Sequence, residues 1–217
     1  MSPTLRIEQT PAPTDLTRLV VAGYTGSDEA SVRHHIEELA AIGVPAPATV
    51  PAYYPLNVGL LTMADQITVK GGYTSGEVEP VLVKRAGAFW LTLGSDHTDR
   101  DLEREDIRIS KAMCPKPIAA AAIFLGEDPT VVDWPEIRIR SWVDGEPYQD
   151  GTLAALRPLA ETAAGYPEAD HPELVVFGGT VPLLTGTFRA GTTWRMSLEA
   201  PGLDPLELEY AVDVRSN

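Results

Sequence analysis

The chain has 217 residues, 44% of them hydrophobic, which is enough to bury one sizeable core as a single domain over 1–217. Its formal net charge of −14 argues against nucleic acid or an anionic membrane as a partner. Cys114 is the single cysteine, so no intrachain disulfide can form, and a reducing cytoplasm is the expected location. No run of about 18 apolar residues suggests a membrane span. Met1-Ser2-Pro3-Thr4-Leu5-Arg6 lacks the basic-then-apolar order of a secretion signal.

In chain order, residues 5–8 and 17–23 read as extended, with Leu19-Val20-Val21-Ala22 a good buried strand. Ser27 is placed to cap a helix running to about Ile42, with acidic residues in its first turn and Gly43 as its stop. Val32, Ile36 and Leu39 form its apolar stripe. Residues 44–56 form a Pro-rich extended connection, and 66–71, 77–83 and 88–94 read as successive strands with Gly-containing turns. Residues 98–112 look mostly helical, while 117–124 suit either a buried strand or a helix. Residues 136–143 alternate as a strand, with Ile137, Ile139 and Trp142 expected to be buried. A helix over 152–164 is interrupted by Pro158, and 173–179, 193–199 and 206–213 are strands. Eight or nine strands, three helices and no βαβ rhythm predict a strand-dominated α+β fold.

Within this frame Glu77 and Glu79 stand two apart on a predicted strand, so both project from one face. Paired carboxylates repel unless a cation lies between them or one keeps its proton. Asp96, 17 residues after Glu79, arrives at the end of the next strand and completes three hard oxygen ligands of the kind Mg²⁺ or Mn²⁺ take. The plain alternative is a strand carrying two acidic residues on its solvent face. Pro80, which lacks a ladder donor, predicts an edge or bulged position.

The order of these and other segments resembles the catalytic domain of the fumarylacetoacetate hydrolase superfamily. The resemblance rests on His35-Ile36-Glu37-Glu38, Glu77-Val78-Glu79, Asp96-x-x-x-Arg100-Asp101, Lys111, Trp142-Val143-Asp144-Gly145-Glu146 with Gln149, and Gly178-Gly179-Thr180-Val181-Pro182. It covers about residues 20 to 212 and implies the mixed β-sandwich roll of that superfamily, with the metal at one end of the sheets. It further implies Glu77, Glu79 and Asp96 as metal ligands, and Arg100 and Lys111 as cations holding carboxylate or enolate oxygens. Gly179 and Thr180 fall in the substrate loop, and His35 with Glu38 form a lid dyad. Three residues apart on a helix, His35 and Glu38 can meet, and the carboxylate would hold the imidazole as a general base toward water. On the helical wheel His35 lies at the margin of the apolar stripe and His34 nearly opposite. His97 is expected to be structural, and Cys114 a small buried residue.

The chain also departs from the family. Glu103 stands where many members have a substrate-binding glutamine, Gly178 replaces a threonine, and no lysine stands near Pro55. The leading expectation is a metal-dependent hydrolase of a small oxo-acid or related carbonyl compound, working as a homodimer. The alternatives are a decarboxylase, isomerase or hydratase on the same scaffold, or a non-catalytic metal- or ligand-binding β-domain.

Overall fold

The computed structural model describes residues 5–41, 46–132 and 134–215, with the side chains of Ser31, His35, Glu38, Leu39 and Ala41 outside that description. Among the described residues, two large sheets and two small strand pairs make up a strand-dominated α+β fold. The larger sheet runs in the order Arg6–Gln9, Ala121–Gly126, Ala88–Ser95, Val78–Arg85, Glu173–Phe177, Arg18–Gly23, Ala52–Leu56. Its neighbours are antiparallel except Glu173–Phe177 beside Arg18–Gly23. The second sheet has the order Glu146–Thr152, Arg138–Val143, Thr193–Glu199, Leu206–Val214, Gln66–Val69.

The larger sheet is apolar on both faces, and its sequence says so: Val20 and Leu82 turn to one side, Leu19, Val21, Val81 and Val83 to the other. The first side packs against Ile139, Val143, Met196, Leu198 and Leu208 of the second sheet, which forms the main core. The other side holds a smaller cluster with Leu16, Leu61, Ile118 and Phe177. Each fully buried aliphatic side chain contributes about 1.5–3 kcal/mol, so the sandwich needs no disulfide.

Several expectations change. Ser27 does not cap the helix Glu29–Ala41: its hydroxyl donates to the Ala154 carbonyl at 2.8 Å, and Asp28 accepts from the Ala30 N–H at 3.0 Å instead. Ile42 and Gly43 lie outside the described residues. The stretch 98–112 is two short helices, Arg100–Glu103 and Ile107–Ala112, because Asp99 and Asp106 each cap a separate start. The ambiguous stretch resolves as strands Lys116–Pro117 and Ala121–Gly126. Pro158 begins the helix Leu159–Ala164 rather than interrupting one. Trp142 is half-exposed because Ile137, Ile139, Ser141 and Val143 hold the inward phase; its ring lies under the Arg195 guanidinium at 3.9 Å.

Pro80 sits in a strand with neighbours on both sides. The ladder to Glu173–Phe177 ends at Val81 opposite Phe177, and beyond it the Gly178 N–H donates to the Pro80 carbonyl at 3.0 Å. No donor is asked of Pro80 there, so a central strand tolerates it.

Candidate functional site

The strands Val78–Arg85 and Ala88–Ser95 form a hairpin whose two-residue turn has Ala86 at φ 50° and Gly87 at φ 80°. That turn matches the strand twist and fixes the register. At the open end Val78 lies opposite Ser95, and the Asp96 N–H donates to the Glu77 carbonyl at 3.0 Å. The 17-residue spacing is therefore one hairpin long, and it brings Glu77, Glu79 and Asp96 to the same end. Glu79 and Asp96 are buried, and Glu77 is half-buried.

Three cations meet these acids. Lys111, from the last turn of Ile107–Ala112, reaches one Asp96 carboxylate oxygen, and Lys116 approaches the other at 3.2 Å. The Lys116 ammonium also donates to the carbonyls of His97 and Lys111, each at 2.5 Å, and of Cys114 at 3.2 Å. Arg100 donates to Glu77 at 2.9 Å, to both oxygens of Glu103 at 3.0 and 2.8 Å, and from Nε to the Ser75 hydroxyl at 2.6 Å. The sequence offers Arg100 to a substrate anion, yet the structure commits its donors to protein groups.

Charge states follow from these partners. Burial opposes the Asp96 charge, but the two lysines outweigh it and hold its carboxyl below the usual range. Burial likewise opposes the charge on Lys111, and Asp96, Glu79 and Glu77 outweigh it, so its pKa rises. Glu79 goes the other way: burial, then Asp96, push its carboxyl well above the ordinary value, against Lys111 and the Gly179 N–H. Its one oxygen accepts that N–H at 2.9 Å, and among the described residues no cation is ion-paired with it.

A cavity of about 530 Å³ opens over this end. Glu77, Glu79, Glu103 and Lys111 line it, with Tyr24, Thr25 and Asp28 after the strand Arg18–Gly23, Val32 of the helix Glu29–Ala41, and Gly179, Thr180 and Phe188. Gly179 is at φ +88°, and a Cβ there would lie 1.9 Å from the Thr25 hydroxyl, so only glycine fits. The Thr180 hydroxyl donates to the Val78 carbonyl at 2.7 Å and accepts from the Gln149 amide at 2.7 Å. His34 is exposed. The side chains of His35 and Glu38 lie outside the described residues.

The donor set suits a small hard divalent cation chemically, because Glu77, Glu79 and Asp96 bring carboxylate oxygens to one end of the hairpin and, among the described residues, Glu79 has no ion-pair partner. As the side chains stand, no three such groups among the described residues lie close enough to hold an ion together. Lys111 lies on Asp96 among them.

Comparison with known proteins places the chain. The model of the family described as "Protein of unknown function (DUF2848)" matches residues 22–210. The chain belongs to the DUF2848 family. No curated protein matches it in sequence. Among solved structures it is similar to a fumarylacetoacetate isomerase/hydrolase candidate from Oleispira antarctica, with TM-score 0.66 and 18% identity over 94% of this chain and 96% of that one. It is also similar to 5-carboxymethyl-2-hydroxymuconate delta-isomerase from Mycobacterium smegmatis, with TM-score 0.63 and 16% identity over 94% and 81% of the two chains. A third is 2-keto-3-deoxyarabinonate dehydratase, with TM-score 0.60 and 17% identity over 94% and 75%. The DUF2848 chain thus has the fold of fumarylacetoacetate hydrolase-like proteins.

Sequence reasoning missed Lys116 in this DUF2848 chain. A lysine bracketed by Pro115 and Pro117, before the apolar run 118–123, is the signal of a buried charge that needs a partner. Gln149, a motif residue to which the sequence assigns no role, is buried and accepts from the Val78 N–H and the Ser141 hydroxyl, both at 2.9 Å, while donating to Thr180 and the Val181 carbonyl. His97 is structural, as expected: its ring nitrogens meet the Tyr210 and Thr74 hydroxyls, both at 2.9 Å. Burial, with Lys116 and Arg100 nearby, pushes its pKa down to about 3 and keeps it neutral.

Proposed function

We propose that this protein is a divalent-metal-dependent enzyme that hydrolyses a small oxo-acid or related carbonyl compound, with Glu77, Glu79 and Asp96 holding Mg²⁺ or Mn²⁺. The observation that carries the reading is Glu79, a buried carboxyl forced above its normal pKa at the foot of a cavity, with one neutral donor. Such a group is costly as an anion unless a cation joins it. When bound, the cation supplies a Lewis acid that polarises a carbonyl and stabilises enolate charge.

The chain's own groups have separable tasks. The Gly179 N–H fixes the Glu79 carboxyl, Lys116 anchors Asp96, and Arg100 holds Glu77. Lys111, the cation lining the cavity, is placed to meet a substrate oxygen. His35, supported by Glu38, is assigned on the sequence as the base that deprotonates water. The names of the structural neighbours span isomerase, hydrolase and dehydratase, which supports catalysis on this scaffold. Hydrolysis is the leading reading carried over from the sequence, with His35 and Glu38 activating water; isomerisation, decarboxylation and hydration on this scaffold would draw on the same base and cation and differ in what the base removes.

The test is the melting temperature of chelator-stripped protein with millimolar Mg²⁺ or Mn²⁺. At about 100 times Kd a native-state ligand adds about 2.7 kcal/mol, or roughly 5–10 °C for a chain of this size. Glu79→Gln should fold and lose the rise. A wild-type protein that melts unchanged with both ions overturns the metal reading.

A further inference from the structure

The charge around the cavity says more about its ligand. Arg100, the cation the sequence offers to a substrate anion, is sealed away, its side chain only 1% exposed. A guanidinium has five N–H donors. Here Nε donates to the Ser75 hydroxyl, Nη1 to both Glu103 oxygens, and Nη2 to Glu77 and, at 3.4 Å, to the Ser75 carbonyl. The Phe188 ring lies over the guanidinium at 3.7 Å and itself faces the cavity. For a substrate carboxylate to reach Arg100, it would have to displace Glu103 or Glu77 and move Phe188.

Glu103 is what the cavity meets instead. Its side chain is one-quarter exposed and lines the opening, and each of its oxygens has one bond to Arg100. A carboxylate oxygen accepts more than one hydrogen bond, so Glu103 presents spare acceptor capacity and a negative field. Lys111 is the sole basic residue among the described lining, against Asp28, Glu77, Glu79 and Glu103, and Asp96 already engages it.

We infer that Glu103 is a specificity-determining residue, and that the substrate end meeting it is a hydrogen-bond donor, a carboxamide or an ammonium, rather than a second carboxylate. This rests on the proposed reading of the site as one that binds an oxo-acid head. With the head carboxylate directed to Lys111 and the cation site, the substrate class narrows to oxo-acids with an amide or amine tail. A dicarboxylate tail would face Glu103 with no free guanidinium to offset it.

Two stable probes separate the possibilities. N-oxalylglycine and N-oxalylglycinamide share one oxo-acid-like head and differ only in a tail carboxylate or carboxamide, so any head contribution cancels in the ratio of their affinities. Calorimetry with and without Mg²⁺ should show wild type preferring the amide by about tenfold or more, a fraction of the contact-range repulsion of two like charges at a protein surface, the Arg100 ion pair offsetting the rest. Glu103→Gln should reduce that ratio at least about tenfold, and Glu103→Asp, which keeps the charge, should retain the preference. Equal or tighter binding of the dianion to wild type overturns the inference. So does an unchanged ratio in Glu103→Gln, or no binding of either probe in either condition. Loss of the Mg²⁺ dependence with the tail ratio intact would overturn the metal reading alone.

Discussion

Gly179→Ala is the sharpest perturbation of the site that can be worked from the structure. Gly179 adopts φ +88°, where an L side chain is strained by about 1–2 kcal/mol. Its new Cβ would lie 1.9 Å from the Thr25 hydroxyl oxygen and 3.1 Å from the Thr25 Cβ. Thr25 is 4% exposed and cannot step aside freely, so overpacking adds about 1–3 kcal/mol. The total, roughly 2–5 kcal/mol, corresponds to a fall in Tm of roughly 4–20 °C for a chain of this size. The assay is thermal and urea unfolding of Gly179→Ala, Thr25→Ala and the double variant. Thr25→Ala removes the 1.9 Å clash but not the backbone strain, so the double variant should recover the steric part and stop short of Thr25→Ala alone. If Gly179→Ala melts within about 1 °C of wild type, far less than that strain implies, the close approach of this loop to Thr25 is refuted. Strict additivity of the two substitutions would refute it as well, because groups in contact must couple.

Further outcomes are expected elsewhere. Gln149→Leu should lose roughly 2–5 kcal/mol in urea unfolding, because it strands the Val78 N–H and the Val181 carbonyl, which Gln149 now satisfies; a change under about 0.5 kcal/mol contradicts that accounting. Asp144 accepts from the N–H and hydroxyl of both Thr192 and Thr193; burial is the largest single influence and raises its pKa, and the four bonds together outweigh burial and lower it. A lowered folded pKa means that its contribution is complete above the unfolded value of about 3.9 and fades as pH falls through the folded one. The stability gap between wild type and Asp144→Ala should therefore be about 1 kcal/mol near neutrality, solvent screening included, and should close in acid; a gap that widens in acid contradicts the assignment. His35→Ala should lower turnover about 10²–10⁴-fold while metal-induced stabilisation survives, and His34→Ala should do little; equal activity in His35→Ala and wild type removes His35 from the mechanism. A homodimer is proposed for the chain, and light scattering that finds a stable 23.4 kDa species at micromolar concentration would exclude it.

The parts of this site legible in the sequence were those governed by short-range geometry. Glu77, Glu79 and Asp96 could be placed together because a two-residue period and one hairpin connect them. The class of fold was legible because buried strands leave apolar runs. What stayed hidden depended on contacts distant along the chain. Arg100 reads as a cation for a substrate anion until Ser75 and Glu77, 25 and 23 residues earlier, close on it. Gln149 stands in a motif with no role of its own until Val78 and Val181 present their backbone groups. Trp142 reads as a candidate for burial in an alternating strand, although the phase that buries Ile137, Ile139 and Val143 puts it outward.

The Tyr210 phenol bonds the Ser95 hydroxyl at 2.7 Å and His97, and His97 bonds Thr74. One string of hydrogen bonds thus ties the larger sheet, through the strand Ala88–Ser95, to the second sheet, through Leu206–Val214, and to the short pair Thr74–Ser75 and Thr98–Asp99. Asp96 sits inside that knot. The acidic end of the cavity is therefore tied to both sheets, and its amides are expected to exchange with deuterium more slowly than those of the helix Glu29–Ala41. The facing wall, built on the start of the helix Glu29–Ala41, where Asp28, Glu29 and Ala30 are exposed, has no part in that string among the described residues. On the proposed reading, the carboxylates that would hold the ion and the residues that shape the rest of the opening therefore stand on opposite sides of one cavity.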